Sequence, residues 1–507
     1  MSTLERPAGE VSFPRALAAV TERDPDAVAV VCDDRSITRS ELDRVSNRMA
    51  RAYERLGVGH GDFVTIALSN SIEWFVACMA TWKLGAVPNP ISPLLPPAER
   101  DAIIARAQPR LVVGVGDQVV AGRTAIPAGF EPDPSLSDEP LPDQTSPMER
   151  ALTSGGSTGV PKLICALSGA TYDPSTIFTM FTARRSALIP GPLYHGIPYA
   201  SAWRSLFAGA SVVVMSRFDA SRCLELIEQH RVDRVSFVPT MMQRIARLPE
   251  AERRSRDTSS LEFVLTSASP CPPWLMQLWI EWLGPEVMHE SFGSTERIGG
   301  TFISGSEWLE HPGSVGKATG GSRIRILDPE TGDECPTGVM GEIYMMPATG
   351  PRTAYRYVGA DARVTPDGWE SVGDMGYLDA QGYLYLGDRR SDMIVCRGRN
   401  IYPAEIEAAL DAHPDVRSSA VIGLPDDDLG QSVHAIVEAD GVTESELATH
   451  VGERLVHYKV PKSFELVDHP LRDASGKVRR SALREARMRT EADSAWISKQ
   501  EGAEWVG

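Results

Sequence analysis

An alternation of strands and helices runs through the first two-thirds of the chain and then stops, and this pattern constrains the fold most. Residues 63–68 (FVTIAL) read as a buried strand, and 72–84 (IEWFVACMATWKL) carry apolar residues at helical spacing. Pro97 and Glu99 open another helix, and 111–115 form another strand. The rhythm returns with strand 211–215, helix 221–229 and strand 234–238. Such alternation, with β-branched strands, predicts α/β sheets covered by helices on both faces. After about Gly320, short runs such as 323–327 (RIRIL) and 342–345 (EIYM) separated by Gly, Asp and Pro predict a β-rich subdomain. From Asp392 onward, strand 393–396, helix 403–411 and strands 420–423 and 433–437 predict a small α+β unit. The expected fold class is therefore α/β: a large N-terminal domain of α/β sheets plus a β-rich subdomain (1–390), then a small α+β C-terminal domain (391–507). The joint falls in 387–392 (GDRRSD), and the tail after Arg487 is polar apart from Trp496, Ile497 and Trp505.

A chain of 507 residues is too long for one core. Its formal net charge of −17 repels phosphate backbones, so nucleic acid is not an expected partner, and a nucleotide would need locally placed donors. The seven cysteines (Cys32, Cys78, Cys165, Cys223, Cys271, Cys335 and Cys396) are scattered without CxxC spacing, which points to a reduced, cytoplasmic setting. No apolar leader opens the sequence, and the longest apolar run, near 75–80, is too short to span a bilayer.

The strongest local signal is 153–162, TSGGSTGVPK. Glycines and small hydroxyl residues let backbone N–H groups approach phosphate oxygens, and Lys162 adds a cation. The run is not the P-loop of kinases, because Pro161 and Leu163 flank the lysine. A surface loop would read the same way in isolation.

Further motifs follow in order: WKLGAVPNP (82–90), PLYHGIPYA (192–200), VPTMMQRI (238–245), TSASPC (266–271), SFGSTE (291–296) and GSVGK (313–317). Then come GDMGYLD (373–379), GDRRSDMIVCRGRNIYPAEIE (387–407), YKVPKSFELVD (458–468) and ASGKVRR (474–480). With this series the sequence resembles the adenylate-forming superfamily of acyl-CoA synthetases, luciferases and peptide-synthetase adenylation domains, over nearly the whole chain. The resemblance implies ATP-dependent conversion of a carboxylic acid to an acyl-adenylate and then to an acyl-CoA, with ATP, Mg2+ and coenzyme A. It implies that Ser154, Gly155, Gly156, Ser157, Thr158, Gly159 and Lys162 form the phosphate loop. By the same resemblance Ala268, Ser269 and Pro270 line adenine opposite Phe292, which stands where Tyr is usual and keeps a stacking face. Ser291, Gly293, Ser294 and Thr295 complete that turn, and Glu296 holds Mg2+ directly or indirectly, as a hard cation requires. Asp374 takes the ribose hydroxyls, and Arg389 reaches ribose or phosphate.

Lys477 is the expected catalytic residue, on a loop that Gly476 keeps flexible. Carboxylate and α-phosphate are both anions, so a cation must cancel their repulsion. Two unit charges ~4 Å apart at an effective dielectric of ~20 attract by roughly 4 kcal/mol. That corresponds to a rate effect of about a thousandfold. His195 gates the acyl pocket or packs in the core; both readings stay open. Tyr194, Gly196, Ile197, Tyr199 and Ala200 are the expected acyl-pocket residues.

Two positions depart from the family pattern. Gly155 replaces a hydroxyl residue, and Ser391 occupies the hinge where Asp or Lys is usual, which bears on how the small domain turns between half-reactions. Arg397, Gly398 and Arg399 form a basic loop that, by resemblance, reaches the thioesterification site. The expected substrate is a bulky apolar acid, since the sequence looks most like bacterial ligases for bile acids, steroids and polycyclic terpenoid acids, including diterpenoid ligases of platensimycin-type pathways. An enzyme that stops at the adenylate and serves a partner thioesterifying enzyme or carrier protein is the competing reading. A homodimer is a further expectation. A non-catalytic nucleotide-binding protein is disfavoured by the joint presence of Lys477, Glu296, Asp374 and Arg389.

Overall fold

The computed structural model describes residues 9–116, 119–154, 162–176, 180–397, 399–426, 428–473 and 476–488. Its largest sheet, among the described residues, runs Lys317–Ala318, Gly300–Ser304, Met288–Gly293, Phe263–Thr266, Arg234–Phe237, Ser186–Ile189, Ser211–Val214, Val28–Cys32, Arg35–Thr38. The interior strands from Val28–Cys32 to Met288–Gly293 are parallel, and the outer ones antiparallel. The chain steps from Ser186–Ile189 to Ser211–Val214 on one side, then crosses to Arg234–Phe237 on the other. Strand order thus reverses between Ser186–Ile189 and Arg234–Phe237. In open α/β sheets a crevice forms at such a reversal, outside the C-terminal strand ends.

A second sheet runs Val87–Pro90, Phe63–Ile66, Leu111–Val113, Arg123–Ile126, Val119–Val120. Val87–Pro90 (VPNP) is absent from the sequence reading because two of its residues are prolines; it lies at the sheet edge, where missing N–H donors are tolerated. Helix Ile72–Lys83 is buried from Trp74 through Lys83, which explains its weak amphipathic pattern. Trp82 packs on Phe13 at 4.7 Å and on Trp203 at 4.8 Å. Truncating such a tryptophan to alanine costs about 3–5 kcal/mol. Lys83, inside this core, is neutralised by Asp43 at 2.6 Å.

The β-rich region pairs Asp374–Leu378 with Leu384–Arg389, placing Asp374 opposite Arg389. A three-stranded sheet joins Tyr355–Val358, Lys162–Ala166 and Ala151–Ser154. The small C-terminal unit runs Arg399–Ile401, Ile394–Cys396, Gly430–Ala439, Val416–Asp426, with Ser463–Val467 also on Gly430–Ala439. Ile406 and Leu410 of helix Pro403–Asp411 and Leu447 and Val451 of helix Glu444–Gly452 share one core with this sheet. The chain is thus mixed α/β, with a large N-terminal and a small C-terminal domain.

Two expectations need correction. Strand Val416–Asp426 is far longer than 420–423, because its polar ends, Arg417 and Asp426, pair with Glu438 and Lys462 and extend the ladder. The joint is shorter than 387–392: Gly387, Asp388 and Arg389 belong to strand Leu384–Arg389, held by pairing to Asp374–Leu378. Among the described residues no helix is long and apolar enough to cross a membrane, and no group of three or more His, Cys, Asp or Glu side chains could hold a metal.

Candidate active site

Of the sequence-predicted residues, 268–270 and 291–296 lie at the C-terminal ends of the parallel strands Phe263–Thr266 and Met288–Gly293. Strand Phe263–Thr266 runs into 267–270, where Ala268 takes φ +78°. A non-glycine residue there costs about 1–2 kcal/mol, and such strain clusters at ligand sites. The Ser267 hydroxyl donates to the Ser291 carbonyl at 2.8 Å, tying this loop to the next strand end. Strand Met288–Gly293 delivers Ser291, Phe292 and Gly293, and the chain continues through Ser294 and Thr295 to Glu296. Phe292, Ser294 and Asp374 line one hollow with Ile298, Ile343, Met345 and Val372. The buried Ser294 hydroxyl has no hydrogen-bond partner among the described residues, a donor available to a ligand.

Beside this hollow lies a charged group. Glu296 is 6% exposed and sits 3.6 Å from the Lys162 ammonium. It also accepts a 2.6 Å hydrogen bond from the Tyr357 hydroxyl, while Lys162 stands 3.9 Å from the Tyr357 ring centre. Arg389 Nε donates to Asp374 Oδ1 at 3.2 Å. Burial raises the Asp374 carboxyl; Arg389 opposes this, and Glu296 adds to it. Burial lowers the Lys162 ammonium, with Glu296 opposing.

Lys477 reaches the same field. Its side chain is exposed, yet protein atoms crowd around its ammonium. That crowding, followed by Arg389, holds its ammonium below the ordinary lysine value, while Asp473, Glu296 and Asp374 pull it back up. The described part of the loop is hydrogen-bonded to its surroundings. Lys477 N–H donates to Asp473 Oδ1 at 3.1 Å, and Arg472 Nη1 donates to the Gly476 carbonyl at 3.2 Å. Gly476 has φ +78°, and a Cβ there would come within 2.9 Å of Thr240 Oγ1, so glycine is what lets the turn enter at the strand-order reversal.

His195 is the N-cap of helix Gly196–Ala208 without a side-chain capping bond, its ring 4.7 Å from that of Tyr194. Burial, followed by nearby Lys477, pushes its pKa down to about 3, so it is neutral at pH 7. Gly196 and Ile197 are half-buried at the helix start, and Ala200 is buried. Tyr199, by contrast, is fully enclosed, with Trp74 and Trp82 at 5.7 and 6.2 Å. Arg397 lies in the turn after strand Ile394–Cys396, its N–H donating to the Leu429 carbonyl, and Arg399 opens strand Arg399–Ile401, 4.6 Å from the Tyr458 ring. Ser391 is exposed in the turn after Arg389. Gly155, Gly156, Ser157, Thr158, Gly159 and Gly398, like the Ser154 side chain, lie outside the described residues. Sequence reasoning missed Tyr357 and Asp473. Tyr357 comes from a strand paired to the Lys162 strand across almost two hundred residues, which no local pattern reveals.

The profile described as AMP-binding enzyme matches residues 17–357, and that described as AMP-binding enzyme C-terminal domain matches 405–477. The chain is 32% identical over 493 residues to a 2-succinylbenzoate–CoA ligase of Bacillus licheniformis, covering 93% of this chain and 100% of that protein. It is 33% identical over 480 residues to a feruloyl-CoA synthase of Amycolatopsis, covering 91% and 96%. Among solved structures it resembles o-succinylbenzoate coenzyme A synthetase of Bacillus subtilis with its acyl-adenylate, at TM-score 0.78 and 27% identity over 94% of this chain and 98% of that one. The same synthetase with ATP and magnesium ion gives TM-score 0.77 and 28% identity over 93% and 99%.

Proposed function

The chain belongs to the AMP-binding enzyme family, and from that premise we propose that it activates a bulky apolar carboxylic acid with ATP as an acyl-adenylate and passes the acyl group to coenzyme A. It is an AMP-forming acid–thiol ligase. The observation that carries the reading is the convergence of Lys162, Arg389 and Lys477 with Glu296 and Asp374 at the strand-order reversal. Cations and carboxylates interleaved there suit a reaction in which two anions must meet.

In this reading Phe292 and the 268–270 loop enclose the adenine, Asp374 accepts from the ribose hydroxyls, and Arg389 orients Asp374 while facing the nucleotide. Lys162 and the loop before it hold phosphate oxygens. Glu296, buried and acceptor-only when ionised, fits a Mg2+ ligand that shares the ion with phosphate. The ion, when bound, neutralises phosphate charge. Lys477 bridges the acid's carboxylate and the α-phosphate oxygens. Neutral His195 borders the acyl group, with Gly196, Ile197 and Ala200 leaving room for a polycyclic terpenoid or steroid-like skeleton. The domains meet at 390–391, and Ser391 is the pivot. That neutral, exposed pivot favours, as a second reading, adenylation with the acyl group handed to a partner.

Incubation with acid and Mg-ATP, before any thiol is added, tests the proposal. Pyrophosphate release is expected. Cleavage to ADP and phosphate would overturn it.

A further inference from the structure

Behind the start of helix Gly196–Ala208 lies a buried charge cluster that the adenylation reading does not use. Glu149 accepts from Arg297 through both oxygens, at 2.9 and 3.1 Å. Arg150 donates only its Nη1 to the same carboxylate, and its guanidinium lies 4.8 Å from the Tyr199 ring centre. Among the described residues Glu149 is the one carboxylate paired with either arginine. Arg204, which has partners of its own, adds positive charge to the same field. Arg150 is 4% exposed, and its Nη2 meets no acceptor among the described residues. That nitrogen faces Gly196: a Cβ built there would lie 3.9 Å from it and within 4 Å of nothing else. Helix Gly196–Ala208 is 13 residues long, lacks a side-chain cap, and turns its positive end to the same spot. Two donors therefore face one space, with no acceptor to Nη2 among the described residues. The cluster adjoins the catalytic field through Arg297, which follows Glu296 in the chain, but its salt bridges run to Glu149 and not to Glu296 or Asp374.

We infer that Arg150 and the N-terminus of helix Gly196–Ala208 form a subsite for a second oxygen acceptor on the acid, a carboxylate or ketone distinct from the carboxylate that is activated. The inference rests on the acid-activating reading and sharpens it: the skeleton is largely apolar but carries one oxygen at the far side of the pocket. A methyl group at Gly196 would stand in van der Waals contact with Nη2 and occupy part of the approach to it.

A matched series tests this: 2-succinylbenzoate, 4-oxo-4-phenylbutanoate, which lacks the ring carboxylate, and 4-phenylbutanoate, which also lacks the ketone. Binding to the full chain is measured by calorimetry without ATP, and pyrophosphate release is followed on the same preparations. The wild type is expected to bind 2-succinylbenzoate at least roughly tenfold more tightly than 4-phenylbutanoate, as for a hydrogen bond to a charged group. Arg150→Met should bring that ratio toward one, Arg150→Lys should keep part of it, and Gly196→Ala should reduce it with every charge intact. A ratio near one in the wild type, no measurable binding of any of the three acids, or a ratio unchanged in both Arg150→Met and Gly196→Ala would overturn the subsite. Ordered binding without pyrophosphate release would leave the subsite standing and defeat the adenylation reading instead.

Discussion

Two buried clusters in this protein are built from the same side chains, one glutamate between two arginines, and they are wired differently. In the C-terminal domain Glu407 accepts from Arg472 at 3.0 Å, twice from Arg480 at 2.8 Å and from the Val421 N–H at 2.8 Å. Arg472 spends its remaining donors on Ser418, Ser419 and Gly476, and Arg480 reaches Asp392 at 3.2 Å. In the N-terminal domain Glu149 serves Arg297 and Arg150, and Arg150 has donors left over. Where most arginine donors meet acceptors, Arg480 Nε being without a partner among the described residues, the cluster ties down backbone, here the turn that carries Lys477. Where donors outnumber acceptors beside a pocket, the surplus is available to a ligand. Polar wiring, more than composition, separates a clamp from a binding surface.

The largest effect expected from breaking this comparison is at Glu407. Glu407→Ala leaves two buried guanidiniums without their shared carboxylate and should cost about 3–5 kcal/mol in urea unfolding. A loss below about 1 kcal/mol would mean that the clamp is not structural. The next contrast is between arginines. Arg472→Met removes bonds to four acceptors and should destabilise by about 2–3 kcal/mol. Arg150→Met should cost less than about 1 kcal/mol, because Arg297 retains both Glu149 oxygens. Equal losses would erase the distinction between the clusters.

A further contrast is a pH dependence at His195. Its folded pKa, pushed down to about 3 by burial and then by Lys477, lies below the ordinary 6.5. Between those values the unfolded chain binds the proton and the folded chain does not. The contribution to stability is therefore present above pH 6.5 and is lost as pH falls toward 3. His195→Gln should flatten that part of the decline, seen as unfolding midpoints of wild type and variant that converge between pH 7 and pH 5. Parallel midpoints would place the ring in open solvent.

Elements with a clean local signal were legible in the sequence. Helix Pro403–Asp411 appears with the bounds its pattern indicates, as does strand Arg323–Leu327. Strand Val87–Pro90 was not, because its pairing is decided by its neighbour Phe63–Ile66 against the propensity of its prolines. At the site, Lys162, Glu296, Asp374, Arg389 and Lys477 could be read from motifs. Tyr357 and Arg150 could not, since each draws its meaning from a partner in another element, Glu296 and Gly196; Asp473 lies in the Lys477 turn itself, one residue before the ASGK run. Tyr199 belongs to the segment PLYHGIPYA, which resembles an acyl-pocket lining, yet the tryptophans of helix Ile72–Lys83 enclose it.

The central claim is that the Lys477 ammonium acts when the acid meets ATP. It is tested most directly by measuring both half-reactions of Lys477→Ala on one folded preparation with Mg2+ saturating. Adenylate formation, read as pyrophosphate release, should fall at least roughly a hundredfold, as for loss of an electrostatic transition-state contact. Conversion of a supplied acyl-adenylate and coenzyme A to acyl-CoA should stay near the wild-type rate. A variant that forms adenylate normally, or that loses both steps equally while still folded, would contradict the account.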